Sequence, residues 1–251
     1  MEQNLIPPKI HYCWFGKKPL PQLALKCIKS WKKYFPDYDI IEWNEDNYDV
    51  NIIPYTADAY KAGKYAFVSD YARFWILYKY GGVYFDTDVE VIKPMNDIIQ
   101  RGAFMGRERV LDNNDPFIVA PGLGIGAEAG HPFYKILLDK YQSLSFSFNK
   151  SETPTVVDIT TEEFVKRGMT LTNEVQQVAN IWLYPADYFD PRDFYDEKKI
   201  YLTENTRSIH HYAASWLDRN TKIRNWIIAR VGPQLTSKIR KIKHFFKLGS
   251  C

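Results

Sequence analysis

Four charged residues in the stretch SDYARFWILYKYGGVYFDTDV could do chemistry together: Asp70, Arg73, Asp86 and Asp88. Asp70 and Arg73 are three residues apart, a spacing that puts both side chains on one helix face. Asp86 and Asp88 flank a single residue, so on an extended chain their carboxylates share a face. Acids brought that close repel unless a shared proton or a cation intervenes. Mg²⁺ or Mn²⁺ held by one or two carboxylates plus phosphate oxygens is the usual resolution. Alone, the same residues would also describe a solvated strand end and a surface ion pair of little consequence. The difference lies in the surroundings: Phe67, Tyr71, Phe74, Trp75, Leu77 and Tyr78 leave Asp70 and Arg73 only a narrow polar face.

The elements that must position these residues follow from hydrophobic spacing. KIHYCWF (9–15) reads as a strand ending at Gly16, and PQLALKCIKSWKKYF as an amphipathic helix stopped by Pro36. DYDIIEW is a second strand, a short helix covers Tyr55 to Ala62, and YAFVSDYARFWILYKY makes a longer helix. Gly81 and Gly82 end that helix, glycine past the last turn being free to take the left-handed geometry of a cap. The spacing then predicts VYFDTDVEVI as one extended segment, giving β-α-β-α-α-β order and an α/β domain with a mostly parallel central sheet. Further on, GLGIGAE, IWLYP and IYL read as strands, HPFYKILLDKYQSL and TTEEFVKRG as helices. At SIHHYAASW, alternation on a strand would turn one of His210 and His211 inward and the other outward.

Composition excludes several classes. With 45% hydrophobic and 16% aromatic residues the 251-residue chain has the material for a real core, which excludes disorder. Cys13, Cys27 and Cys251 form neither a metal-ligand spacing nor an even disulfide set, as expected of a reducing compartment. The opening MEQNLIPPKIHYCWF lacks the pattern of a signal peptide, and no apolar run reaches the ~18 residues that span a bilayer. A cytoplasmic location is expected. Charge is unevenly spread: residues 219–251 hold nine Lys or Arg and no acid, leaving 24 basic against 30 acidic residues in the first 218. The division expected is a catalytic domain over 1–218 and a basic, amphipathic, helical segment over 219–251, where Trp226, Ile227, Ile242, Phe245, Phe246 and Leu248 lie among the cations. Such segments bind anionic membranes or pack on their own domain. The acidic main domain argues against nucleic acid.

Ser69, Asp70, Arg73, Leu77, Gly81, Gly82, Tyr84, Asp86 and Asp88 together resemble the S-D-x-x-R … G-G-x-Y-x-D-x-D signature of glycosyltransferase family 32. That family includes yeast-type initiating mannosyltransferases and bacterial capsule enzymes, and the large glucosylating toxins share the signature. The stretch from Ile6 to Gly16 resembles the family's opening strand, and HHYAASW its closing His…Ser-Trp element, so ordered matches span residues 6 to 216.

The resemblance implies a GT-A fold and transfer of a sugar from a nucleotide diphosphate, with retention of configuration, to a saccharide acceptor. It further implies UDP-sugars in preference to GDP-sugars, a polyprenyl-diphosphate-linked acceptor, and a setting in bacterial capsule or surface polysaccharide synthesis on the inner face of the plasma membrane. It implies that Asp88 binds Mn²⁺ or Mg²⁺ directly, with Asp86 near the metal and the ribose. Asp70 and Arg73 would hold donor hydroxyls, Arg73 also approaching the diphosphate. Trp14 would lie against the base. Ser215 and Trp216 would close over metal and diphosphate, with His211 and Ser215 as further metal contacts. Where this chain has Gly122, many members of the family carry Asn, which bears on the donor pocket. Two alternatives stand beside this one. FDTDV also fits a phosphatase pattern of the haloacid dehalogenase type, although there the motif follows the first strand. A catalytically idle sugar-nucleotide or carbohydrate binder would keep the fold without turnover.

Overall fold

A computed structural model describes residues 6–108, 118–147, 154–170, 172–191 and 199–213. The basic segment 219–251, with Ser215 and Trp216 before it, lies outside the described residues. The first half follows the expected order. Strand β1 (Lys9–Cys13) leads through helix α1 (Gln22–Tyr34) to β2 (Asp39–Trp43), α2 (Pro54–Lys61) and α3 (Tyr65–Tyr80). Ala24, Cys27 and Trp31 are the buried face of α1, whose chain turns away before Pro36.

The stretch VYFDTDVEVI departs from expectation. It is two strands, β3 (Gly82–Tyr84) and β4 (Val89–Val91), joined by a turn that the Val89 N–H closes on the Asp86 carbonyl at 3.0 Å. Then come α4 (Asn96–Gln100), β5 (Phe104–Gly106), β6 (Ile125–Ala127) and α5 (Pro132–Gln142). The predicted TTEEFVKRG helix starts earlier, as α6 (Val156–Val165), because Thr155 and Asp158 form a reciprocal capping box. β7 (Gln176–Val178), β8 (Ile181–Tyr184), α7 (Ala186–Phe189) and β9 (Ser208–His210) complete the described elements. Ile200–Leu202, expected as a strand, is not one; its apolar side chains are exposed.

The main sheet has the order β2-β1-β3-β6-β5-β8-β7. β2, β1, β3, β5 and β8 run one way and β6 and β7 the other, so the sheet is mixed but mostly parallel in direction. Alternate strand residues feed two cores. Cys13 and Tyr84 join residues of α2, α3, α5 and α6 on one face, while Ile10, Tyr12 and Val83 join those of α1, α4 and α7 on the other. β4 and β9 form a separate antiparallel pair that carries the site. Among the described residues no helix is long and apolar enough to cross a membrane.

The Gly-Gly step between α3 and β3 is fixed by geometry on both sides. Gly81 caps α3 with φ 62 and ψ −172, which is not the left-handed helical cap expected but an extended variant open essentially to glycine. At Gly82 (φ 108) a Cβ would stand 2.8 Å from the Lys9 carbonyl and 2.9 Å from His11 Nε2. His11 locks this corner: its Nδ1 accepts from Trp43 Nε1 at 3.1 Å, so the proton sits on Nε2, which donates to the Gly81 carbonyl at 2.9 Å.

Burial lowers the His11 pKa from 6.5 to about 4, against the opposing pull of the Gly81 bond. A depressed histidine pKa means the unfolded chain takes up the proton first. Its contribution is therefore present above pH 6.5, is lost as pH falls from 6.5 towards 4, and changes no further below that. The loss is about 3 kcal/mol. Urea melts at pH 7 and pH 4.5 of wild type and His11→Gln check this: the variant is expected to lack that part of the pH dependence. Equal slopes for the two proteins would contradict it.

Candidate active site

The carboxyl ends of β1 and β3 lie side by side, their register running Ile10–Val83 and His11–Tyr84. Crevices in open α/β sheets form beyond such ends. Phe85 continues beside β1, its N–H on the His11 carbonyl at 3.1 Å, and Asp86 follows at the rim. The Asp86–Val89 turn then swings Asp88 back. The expectation that the two acids meet by strand alternation is thus corrected: a tight turn brings them together. β4 pairs antiparallel with β9, Val89 opposite His210, and the His211 N–H bonds the Asp88 carbonyl at 2.9 Å. Ligand atoms of Asp86, Asp88 and His210 consequently all lie within 4.8 Å of one another.

His210 Nε2 is 3.1 Å from Asp88 Oδ1, and the Ala213 N–H donates to Asp88 Oδ2 at 2.8 Å. His211, named from the sequence as a metal contact, stands elsewhere: its Nε2 is 2.8 Å from Glu90 Oε2, which also pairs with Lys26 at 2.7 Å. The strand alternation was legible, but the register that decides which histidine faces the aspartates is set by pairing with β4. Burial works against charge on Asp88, yet the His210 ring and the Ala213 N–H outweigh it and hold the pKa at about 2. His210 is pushed up: burial opposes its charge, but the attraction of Asp88 and Asp86 prevails.

Arg73 reaches the same place from α3. It is 3% exposed, with Nη2 at 2.8 Å from Asp70 Oδ1 and 3.3 Å from Asp86 Oδ1. Its Nε donates to the Ser69 carbonyl at 3.1 Å, and the guanidinium lies 5.1 Å from the Tyr84 ring centre. The Tyr84 hydroxyl donates to Asp86 Oδ1 at 3.1 Å. Burial raises the pKa of Asp86 and carries Asp70 up to about 7, both against the pull of Arg73. Ser69 uses its hydroxyl on the Tyr65 carbonyl at 3.2 Å, so its part in the signature is within the helix. Trp14 is half-buried just beyond β1, at the same rim as Asp86, its indole N–H on the Lys18 carbonyl at 2.6 Å.

Sequence reasoning missed two further acids. Glu108, just after β5, is raised to about 7 by burial, with the charge of Asp190 adding and His210 opposing. Asp190, just after α7, is 3% exposed. Neither sits in a motif; only the fold brings them into the field of His210.

The residues present fit a divalent cation. Arg73 pairs with Asp70 and Asp86, whereas Asp88 faces the His210 ring, so a divalent cation here would meet the charge of Asp86 and Asp88 and the lone pair of a deprotonated His210. Two carboxylates and one imidazole suit Mg²⁺ or Mn²⁺, and the nitrogen ligand tilts the set towards Mn²⁺ in the order of ligand affinities.

Comparison with known proteins places this geometry. The family described as "Glycosyltransferase sugar-binding region containing DXD motif" matches residues 21–105. Inositol phosphoceramide mannosyltransferase 1 of Schizosaccharomyces pombe is 29% identical over 133 residues, covering 48% of this chain and 40% of that one. The uncharacterized glycosyltransferase L373 of Acanthamoeba polyphaga mimivirus is 23% identical over 222 residues, 84% of each chain. The chain spans about two fifths of the fission-yeast relatives' length, 40% and 39% for two of them. In fold it is similar to the PaToxG glycosyltransferase, with TM-score 0.50 and 19% identity over 64% of this chain and 69% of that one. The matched stretch 21–105 contains Asp70, Arg73, Asp86 and Asp88, so this part of the chain resembles a DXD-motif glycosyltransferase region, and the chain is built on a GT-A fold.

Proposed function

We propose that this protein is a metal-dependent, retaining glycosyltransferase of the hexosyltransferase class. It moves a sugar from a nucleotide diphosphate, UDP in preference to GDP, to a saccharide acceptor on a polyprenyl-diphosphate carrier. The setting is synthesis of a bacterial surface or capsular polysaccharide at the cytoplasmic face of the membrane, with the basic segment 219–251 as a membrane contact. One observation carries the chemistry: Asp86, Asp88 and His210 converge within 4.8 Å beside the buried Arg73. The similarity to a fission-yeast inositol phosphoceramide mannosyltransferase supports an acceptor borne by a lipid.

Asp86, Asp88 and His210 would hold Mn²⁺ or Mg²⁺, which supplies positive charge where the departing diphosphate becomes more negative. Arg73 adds a fixed charge that needs no reorganisation during the reaction, because Asp70 and the Ser69 carbonyl already orient it. Asp70 accepts hydrogen bonds from donor hydroxyls, and Trp14 offers a flat apolar face to the base. With no protein nucleophile assigned, the acceptor hydroxyl attacks from the face that the diphosphate leaves. The new carbon–oxygen bond forms there, the bond to the diphosphate breaks, and the hydroxyl proton passes to the departing phosphate oxygen.

A panel of UDP- and GDP-sugars, incubated with the full chain with and without Mn²⁺, tests the proposal. Metal-dependent release of nucleoside diphosphate from one donor is expected, and NMR of a transferred sugar should show the donor's anomeric configuration. Binding of donor with no release under any metal condition would instead identify an idle binder.

A further inference from the structure

Residues 17–36 contain six lysines and no acid. Helix α1 presents most of them on one side. Lys26, Lys29, Lys32 and Lys33 stand at i, i+3, i+6 and i+7, so they share one side of the helix, are all exposed, and lie opposite the buried Ala24, Cys27 and Trp31. Lys17 and Lys18, also exposed, precede the helix. Lys26 pairs with Glu90, but Lys17, Lys18, Lys29, Lys32 and Lys33 have no carboxylate in ion-pair contact among the described residues. Like charges three and four apart weaken a helix. The helix dipole offsets this for Lys32 and Lys33 in the last turn, but does nothing for Lys29 or for the pair before the helix. In the middle of the cations stands Leu25, 46% exposed.

We propose that this face of α1 docks on an anionic lipid surface, independently of the basic segment 219–251. Charge complementarity identifies the partner. Lysine is a compact, strongly hydrated point charge suited to a diffuse field of headgroups, and the face holds none of the arginine forks that grip individual phosphates. The exposed leucine among the lysines is the pattern of an interfacial helix. No aromatic side chain stands exposed on this face for stacking against bases, which disfavours single-stranded nucleic acid. The helix is also rigidly tied to the site. Trp31 Nε1 donates to the Val89 carbonyl at 2.8 Å, the Val91 N–H donates to Ser30 Oγ at 2.9 Å, and Lys26 pairs with Glu90 at 2.7 Å. A surface held by α1 is therefore held at a fixed distance from β4 and the aspartate turn, where a lipid-borne acceptor would have to arrive.

The test is sedimentation of the full chain with vesicles of phosphatidylcholine alone and of phosphatidylcholine with one quarter phosphatidylglycerol. Wild type is compared with Lys29→Gln/Lys32→Gln/Lys33→Gln. Wild type should bind only the anionic vesicles, less at 0.5 M salt, and the variant should bind roughly tenfold or more weakly. The variant's melting temperature and nucleotide-sugar hydrolysis should be unchanged, since none of the three lysines touches the site. Equal vesicle binding by the two proteins would overturn the proposal and leave the terminal segment as the whole attachment. Tighter binding to a DNA or RNA oligonucleotide than to vesicles would overturn it as well.

Discussion

Asp88→Asn is expected to reduce metal-dependent release of nucleotide by at least about 10²- to 10³-fold, the scale on which preorganised charge at a leaving group acts. The substitution keeps the shape of the side chain, so an oxygen can still accept from the Ala213 N–H or face His210. What disappears is the negative charge that burial alone would have suppressed and that His210 and Ala213 sustain. The same shift, from 3.8 to about 2, corresponds to roughly 2 kcal/mol of native-state stabilisation at neutral pH. It is present above pH 3.8 and lost as pH falls towards 2. A domain with ordinary stability survives that loss. The variant should therefore be folded, slightly less stable, and inactive in Mn²⁺. Circular dichroism and donor hydrolysis on one preparation check both halves; a folded variant with wild-type turnover would remove Asp88 from the chemistry.

Gly122→Ala is expected to cost about 10²-fold in turnover, the penalty for displacing a reacting group by about an ångström. A Cβ built at this position would lie 2.2 Å from Asp86 Oδ2, 3.2 Å from its Cγ and 3.4 Å from Arg73 Nη1. The backbone cannot retreat freely, since the Gly122 carbonyl accepts from the Asp86 N–H at 3.3 Å and the Leu123 N–H is tied to Ala120 at 3.1 Å. The carboxylate must move instead, away from Arg73 at 3.3 Å and the Tyr84 hydroxyl at 3.1 Å. Glycine serves here by leaving space rather than by adopting an unusual backbone angle. Mn²⁺ affinity should fall together with turnover. A variant with a lower melting temperature but unaltered Mn²⁺ affinity and turnover would show that position 122 matters only to folding.

The two glycine requirements show how far the sequence could be read. Gly81-Gly82 was legible because the requirement is local: a periodic helix ends there and a strand begins. Gly122 was visible only as a departure from the family pattern, because the atom it must avoid belongs to Asp86, far away along the chain. The turn in FDTDV was hidden for a different reason. It holds no glycine or proline, and the turn-forming capacity of Asp86, Thr87 and Asp88 is masked by the apolar residues on both flanks, so the segment reads as one strand. The acids were rightly singled out although the local structure was not. β5 and β7, three residues each, are too short to show an alternation of two. The choice of His210 over His211 depended on the β4–β9 register, which only the folded chain specifies. The long amphipathic and buried helices α1 and α3, by contrast, carry enough turns for their periodicity to be read directly.

Calorimetric titration of UDP and GDP into the full chain, in Mn²⁺ and again in EDTA, examines the convergence of Asp86, Asp88 and His210 most directly. A nucleoside diphosphate should bind in Mn²⁺ and weaken by at least about tenfold when the metal is removed or when His210 is changed to Gln. Affinity that is the same in Mn²⁺ and in EDTA would mean that no cation links these side chains to the diphosphate.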